Sequence, residues 1–279
     1  MNDLPILIQK SIRRYEPVTV DGLTLWPVKV REYDDFLMAR VALEVLHQSL
    51  PVRFLRMPLL SALYAMDYEA RVSGEPMTGL FSVALLGLAL SLRLGEGEAP
   101  EERMGRFRIA VDRNDPSKLL RLRFIDADGA EKEIEPRRYG ELRRIIAAQN
   151  GVKLESDRAD PDLVQAEKDL ADMNGISLDA TVEDLISGVA ALAGVDEAEI
   201  EDWPILKLQR RQTSYQRTLD YLICGIGQMS GTTWKGGNPH PSPFFDRLDE
   251  DGFGAHMALG DFAGGAGERA VANAGQKVT

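Results

Sequence analysis

The longest apolar run in the chain, residues 77–95, constrains the fold most and reads MTGLFSVALLGLALSLRLG. A helix built from residues 77–94 is apolar on nearly every side, so it needs to be buried within a larger structure. The run contains Gly, Ser and Thr, includes Arg93 near its end and is about at the lower length limit for crossing a bilayer. We therefore predict a buried helix at the centre of the core, and a membrane span is the less favoured alternative.

The residues before this run show two different periodicities. Residues 18–30 alternate apolar and polar side chains around the pair Asp21-Gly22, which favours a tight β-hairpin. Residues 30–50 and 58–72 instead place apolar side chains at helical spacing, which predicts helices after the hairpin. The apolar stripe of the first of these helices consists of Tyr33, Phe36, Leu37, Val41, Val45 and Leu46.

Residues 107–136 change to a strand pattern. The segment contains three runs of strand-forming residues, separated by turn signals at residues 114–116 and 128–129. Residues 137–151 return to helical spacing and end on an Asn-Gly pair, a good helix stop. The predicted fold class is therefore mainly α (α+β): a helical core with a short N-terminal β-hairpin and a small inserted β-meander.

The negative charge of the chain is concentrated in one stretch. The formal net charge is −11, yet residues 155–202 alone hold fifteen acidic and two basic side chains. The next helix presents a basic face made of Lys207, Arg210, Arg211 and Arg217. The favoured interpretation is that acidic and basic helices pair within the chain, and the alternative is that the acidic stretch attracts a basic helical partner.

These patterns predict four segments. Residues 1–96 form the hairpin and an N-terminal helical half, and residues 97–160 form the inserted β-meander with its short helix. Residues 161–245 form an acidic and then basic C-terminal helical half, whereas residues 246–279 are a Gly/Ala-rich flexible tail.

Composition excludes several classes of protein. The isoelectric point near 4.9 argues against a general nucleic-acid binder, which needs clustered Lys and Arg side chains. Cys224 is the only cysteine, so neither an intramolecular disulfide nor a cysteine-based metal cluster can form. The N-terminal residues lack the pattern of a signal peptide, and we expect a cytoplasmic protein that is not secreted.

The stretch YLICGIGQMSG, residues 221–231, resembles a phosphate-binding loop only superficially. A dinucleotide fingerprint needs a strand before its glycines and a helix after them, whereas here a strong helical pattern comes first. We predict that Gly225 and Gly227 lie in the last turns of that helix, close to a neighbouring element, and that Gly231 ends it.

No set of residues in the sequence indicates catalysis. His47, His240 and His256 lack acidic or cysteine residues at the spacing of a metal site, and no serine lies in a nucleophile elbow. Cys224 is better explained as a small buried residue than as a nucleophile. We therefore expect no enzyme, no cofactor and no metal, and an uncharacterised small-molecule enzyme is the most remote alternative.

Aromatic residues near the C-terminal helix are the candidate partner-binding residues. Large rings in a Gly- and Pro-rich loop either fold back onto the core or provide anchors for a partner protein. The candidates are Trp203, Tyr215 and Tyr221 in or beside the helix and Trp234, Phe244 and Phe245 in the loop that follows.

The arrangement of these segments resembles the tail assembly chaperone-like proteins of long-tailed bacteriophages and prophages. The resemblance lies in VTVDGLTLWPVKVREYDDF, LPVRFLRMPLLSALYAM and VDEAEIEDWPILKLQRRQTSYQRTLDYLI, followed by PSPFFDRL. It covers residues 18–95 and 178–248. The chain departs from the family in its greater length and in its β insertion at residues 107–136.

The resemblance implies a mainly helical, acidic and non-catalytic protein of the host cytoplasm. Its partners would be the long helical tape-measure protein and the tail-tube protein, with a homo-oligomer as an open option. The aromatic residues between residues 203 and 245 would then contribute to the partner-binding surface. The alternative from another class is a structural tail or baseplate adaptor of the virion, whose strands at residues 107–136 pair with a neighbour's sheet edge.

Overall fold

The structure is a computed structural model, and it describes residues 4–126, 128–155 and 181–231. The chain divides into two compact units, one of residues 4–208 and one of residues 1–3 with 209–279. Three predicted features lie wholly or partly outside the described residues: the loop with Trp234, Phe244 and Phe245, the tail at residues 246–279, and residues 156–180 of the acidic stretch.

The predicted N-terminal hairpin is confirmed. After α1 (Ile6–Arg13), strands β1 (Val18–Val20) and β2 (Leu23–Leu25) pair antiparallel. The two turn residues, Asp21 and Gly22, have φ angles of 48° and 77°. Positive φ at both central positions is the geometry of the tight hairpin turn that an Asp-Gly pair favours.

The predicted apolar helix lies at the centre of the core, as α4 (Leu80–Ser91). It packs against α2 (Tyr33–Leu43), α3 (Leu59–Ser73) and α5 (Pro100–Gly105). A Cβ added at Gly87 would lie 3.5 Å from the Cβ of Ala39, which shows how closely α2 approaches α4. Within the described ranges, no helix combines the length and the apolar character needed to cross a membrane.

The buried face of α2 differs from the predicted stripe. Phe36, Ala39 and Leu43 are buried, whereas Leu37 and Val41 are exposed to solvent. The helix contains apolar residues on more than one side, so its packing against α4 decides which of them are covered. The spacing of apolar residues alone did not distinguish these two faces.

The predicted β-meander is confirmed and shares the core of the helices. Strands β3 (Arg108–Val111), β4 (Leu119–Ile125) and β5 (Glu131–Ile134) form an antiparallel sheet in that order. Leu122 and Phe124 on its inner face belong to the same buried cluster as the core helices. The sheet therefore packs onto the helices as part of the unit of residues 4–208.

The remaining helices follow the sequence signals closely. Helix α6 (Tyr139–Gln149) precedes Gly151, whose φ is 73°. Helices α7 (Val182–Ala193), α8 (Glu197–Glu201) and α9 (Ile205–Met229) follow. Thr181 caps α7 through a reciprocal capping box with Asp184. The fold is mainly α with some β, as predicted.

Candidate protein-binding surface on the last helix

The first turn of α9 is fixed by backbone hydrogen bonds to the segment that follows the hairpin. Val30 N donates to Trp203 O at 2.8 Å, and Ile205 N donates to Val28 O at 3.0 Å. The side chains of Ile205 and Leu208 are fully buried. The beginning of α9 is therefore an integral part of the unit of residues 4–208.

Charged side chains surround this attachment point. Asp202 forms ion pairs with Arg31 and with Lys29, whose Nζ lies 3.3 Å from Asp202 Oδ1. Lys29 Nζ also donates to Glu96 Oε1 at 3.2 Å, and this hydrogen bond lowers the pKa of Glu96. Asp202, the last residue of the acidic stretch, thus pairs with basic residues near the hairpin. About half of the acidic stretch lies outside the described residues, so its pairing with the basic face of the last helix stays a prediction.

Beyond its first turn, α9 carries apolar side chains that remain exposed. We call the set Tyr215, Leu219, Leu222, Ile226 and Met229 the apolar stripe. Its members are spaced alternately four and three residues apart, so they follow one side of the helix. The exposed fractions of the last four side chains are 45%, 51%, 67% and 91%. Continued towards the N-terminus of α9, the same spacing includes Gln212 and then Leu208 and Ile205, and the last two are buried.

The surface around the apolar stripe is almost uncharged. Within residues 218–231, Asp220 is the only charged residue, although the whole chain has a net charge of −11. The positions that flank the stripe hold Gln216, Thr218, Ile223 and Gly225. Such a surface offers few charges that could select a partner, and binding to it would depend mainly on the burial of apolar side chains.

Three of the six predicted partner-binding residues, Trp203, Tyr215 and Tyr221, lie within the described residues. Trp203 is buried, and Lys207 Nζ lies 3.5 Å from the centroid of its ring. Tyr215 is half-buried within the apolar stripe, whereas Tyr221 is exposed about 100° around the helix from Leu222. Trp234, Phe244 and Phe245 lie outside the described residues.

Aliphatic side chains of the apolar stripe were not among the predicted binding residues. Leu219, Leu222 and Ile226 lie at helical spacing, but such spacing does not show whether a helix face is covered. The useful signal was the continuation of the stripe for three turns beyond Leu208, in a segment almost without charge.

The glycines of YLICGIGQMSG lie along the end of the last helix as predicted. Gly225 and Gly227 lie within α9, and Gly231 follows it with a φ of 72°. A Cβ added at Gly225 meets no atom of the described residues within 4 Å, and the close packing of Gly225 and Gly227 against a neighbouring element stays a prediction. Cys224 beside it is half-buried.

A second surface lies on the β-sheet. A shallow groove of about 370 Å³ is lined by four charged residues, Arg106, Arg108, Arg123 and Glu131, together with Gly105, Phe124, Ile125 and Gly129. Arg106 pairs with Glu98, and this ion pair lowers the pKa of Glu98. In the described part of the chain, no group of three or more His, Cys, Asp and Glu side chains is arranged to hold a metal ion. The chemistry that this groove offers is contact with an anion.

Comparison with protein-family models, curated proteins and solved structures finds no match to this chain. Among the surfaces of the described residues, the apolar stripe of α9 is the strongest candidate for protein binding, because exposed apolar patches mark sites of protein association.

Proposed function

We propose that this chain is a non-enzymatic assembly protein that binds an apolar helical segment of another protein. In line with the resemblance to tail assembly chaperones, the partner is the tape-measure protein of a long-tailed phage, which the chain keeps soluble during tail assembly. The tail-tube protein is a further candidate partner. The observation that carries the proposal is the exposed apolar stripe of α9.

A tape-measure protein is a suitable partner on physical grounds. Before the tube encloses it, its long helices expose apolar faces, and such faces aggregate in water. A helix with a matching stripe can cover them by packing side chains at the same alternating spacing. Fully burying an exposed Leu or Ile side chain stabilises a complex by about 1.5–3 kcal/mol. A stripe residue that is already partly buried contributes less, in proportion to its exposed area.

The folded unit of residues 4–208 lowers the free-energy cost of this binding. Isolated helices of this length are only marginally stable in water, because the first turn is costly to form. In α9 the first turn is already held by the hydrogen bonds from Val30 and to Val28. A partner therefore meets a helix that is already formed and loses less free energy on binding.

Co-expression with the tape-measure protein tests the proposal. We expect the wild-type chain to increase the soluble fraction of the tape-measure protein, and a variant with Leu222→Asp and Ile226→Asp to lose this effect. Ser214→Asp is the matched control, because it adds a carboxylate to an exposed position on the same helix outside the apolar stripe. If the tape-measure protein is equally soluble without the chain, the proposal is wrong.

A structural tail or baseplate adaptor is the second candidate, favoured by the edges of the β-sheet. Among the described strands, β3 and β5 each pair on one side only, and Ile109 on β3 is exposed. An edge strand can extend a neighbour's sheet by backbone hydrogen bonds. Mass spectrometry of purified particles separates the two candidates, since an adaptor is present in stoichiometric amounts and a chaperone is not.

A further inference from the structure

We infer that two copies of this chain associate through α9, the apolar stripe of one copy packing against the apolar stripe of the other as a short two-stranded coiled coil. This inference uses the same apolar stripe as the proposed function but does not depend on it: the second copy covers the stripe in the free chain, and a tape-measure helix would bind by replacing that copy.

The spacing of the stripe is that of a coiled coil. In heptad positions, Gln212, Leu219 and Ile226 occupy position a, and Tyr215, Leu222 and Met229 occupy position d. An alternation of three and four residues makes a narrow seam, which packs against a second helix of the same kind. Five of these six positions are apolar, and the side chains of the seam from Leu219 onwards are exposed to solvent.

The charges beside the seam favour a second copy over a charged partner. Positions e and g normally carry the charges that select a coiled-coil partner. Here the e positions hold Gln216, Ile223 and Ser230, and the g positions hold Arg211, Thr218 and Gly225. Arg211 is the one charged residue among these positions, so from Gln216 onwards an identical helix meets no like charge there, although the chain as a whole carries a charge of −11.

The types of apolar residue favour two strands. A β-branched residue at a combined with leucine at d is the pairing of two-stranded coiled coils. Ile226 and Leu222 provide that pairing at the centre of the exposed segment. Gln212 is polar at position a, and a single polar residue there restricts register at some cost in stability.

The test is the molar mass of the purified full-length chain in solution, measured by light scattering over a wide range of concentrations. One copy has a mass of 30.9 kDa, and we expect the wild type to approach twice that value as concentration rises. Leu222→Asp with Ile226→Asp should give the mass of one copy throughout, and Ser214→Asp should behave as the wild type. High salt should not dissociate the dimer, because apolar burial holds it together.

Two results would overturn the inference. One is a wild-type chain with the mass of a single copy at every concentration, which would mean that the stripe does not bind a second copy of the chain. The other is a dimer that persists in the Leu222→Asp, Ile226→Asp variant, which would place the interface elsewhere. Circular dichroism of the variant checks that it is folded, and solubility of the tape-measure protein is read separately, so failure of the dimer and failure of the proposed function are distinguishable.

Discussion

Arg103 Nη2 donates a hydrogen bond to Glu32 Oε1 at 2.6 Å, and the two side chains are only 2% and 12% exposed. The pair joins α5 to the residue that precedes α2. Arg103 Nε also donates to Glu98 O at 3.2 Å, which holds the guanidinium group in place. The arginine is therefore buried with its charge balanced chiefly by one carboxylate.

Glu32→Ala should destabilise the fold strongly, because it leaves the guanidinium group of Arg103 buried without its partner. Breaking a buried ion pair in this way typically costs about 3–5 kcal/mol of the free energy of unfolding. Urea denaturation followed by circular dichroism measures the change. The matched control is Glu44→Ala, which removes a more exposed pair with Arg40 on α2 and should cost about 1 kcal/mol or less. Equal losses in the two variants would contradict the prediction.

The sequence predicted those elements whose signals are local. The Asp-Gly turn and the Asn-Gly stop after α6 each depend on a few neighbouring residues. The apolar run of α4 also predicted its own burial, since no side of that helix is polar enough to face water. These predictions needed no knowledge of what each element packs against.

Features that depend on a distant partner were not predicted. The exposed side of α2 is set by the approach of α4, and Asp202 pairs with Lys29 and Arg31 from the other end of the folded unit. The apolar stripe of α9 looks the same in the sequence whether another element covers it or not. Only the exposed fractions of Leu222 and Ile226 distinguish these cases.

Burial of Tyr139 should make stability fall at alkaline pH. Desolvation raises the pKa of its hydroxyl to about 12, against an ordinary value of 10.0. Below pH 10 both the folded and the unfolded chain hold the proton, so the shift has no effect there. Between pH 10 and about 12 the unfolded chain releases the proton first, and the free energy of unfolding falls by up to about 3 kcal/mol.

Tyr139→Phe tests this pH dependence, because it removes the hydroxyl and keeps the ring. The variant should lose less stability than the wild type between pH 10 and 12, as measured by urea denaturation at each pH. Near neutral pH it should be at least as stable as the wild type, since the described residues offer the buried hydroxyl no hydrogen-bond partner. Tyr221→Phe on the exposed part of α9 is the control and should leave the alkaline loss unchanged.

Asn150 should be important for stability because it links three parts of the fold. Its Oδ1 accepts from Val28 N at 2.8 Å, and its Nδ2 donates to Ile146 O at 2.8 Å. Val28 O in turn accepts from Ile205 N at the beginning of α9. Asn150→Ala leaves the amide of Val28 buried without a partner, at a cost of about 1–3 kcal/mol.

Hydrogen exchange provides the sharper measurement for Asn150→Ala. The amides of Val28, Val30 and Ile205 should exchange faster in the variant, whereas amides in the β-meander should change only by the overall loss of stability. Asn150→Asp is a useful comparison, since it retains an acceptor for Val28 but buries a charge and loses the donor to Ile146. A uniform change across all amides would argue against a local role for Asn150.

Trp203 and Leu222 should respond in opposite ways to truncation, although both belong to the C-terminal region from which a partner-binding role was predicted. Trp203 is buried beneath Lys207, so Trp203→Ala should cost about 3–5 kcal/mol of the free energy of unfolding. Leu222 is about half exposed, and Leu222→Ala should change the stability of a single copy by about 0.5 kcal/mol or less. Its effect should appear instead as weaker association of the chain, measured by light scattering. If Leu222→Ala destabilises a single copy as much as Trp203→Ala does, the apolar stripe is a covered face of the fold and has no free surface to offer a partner.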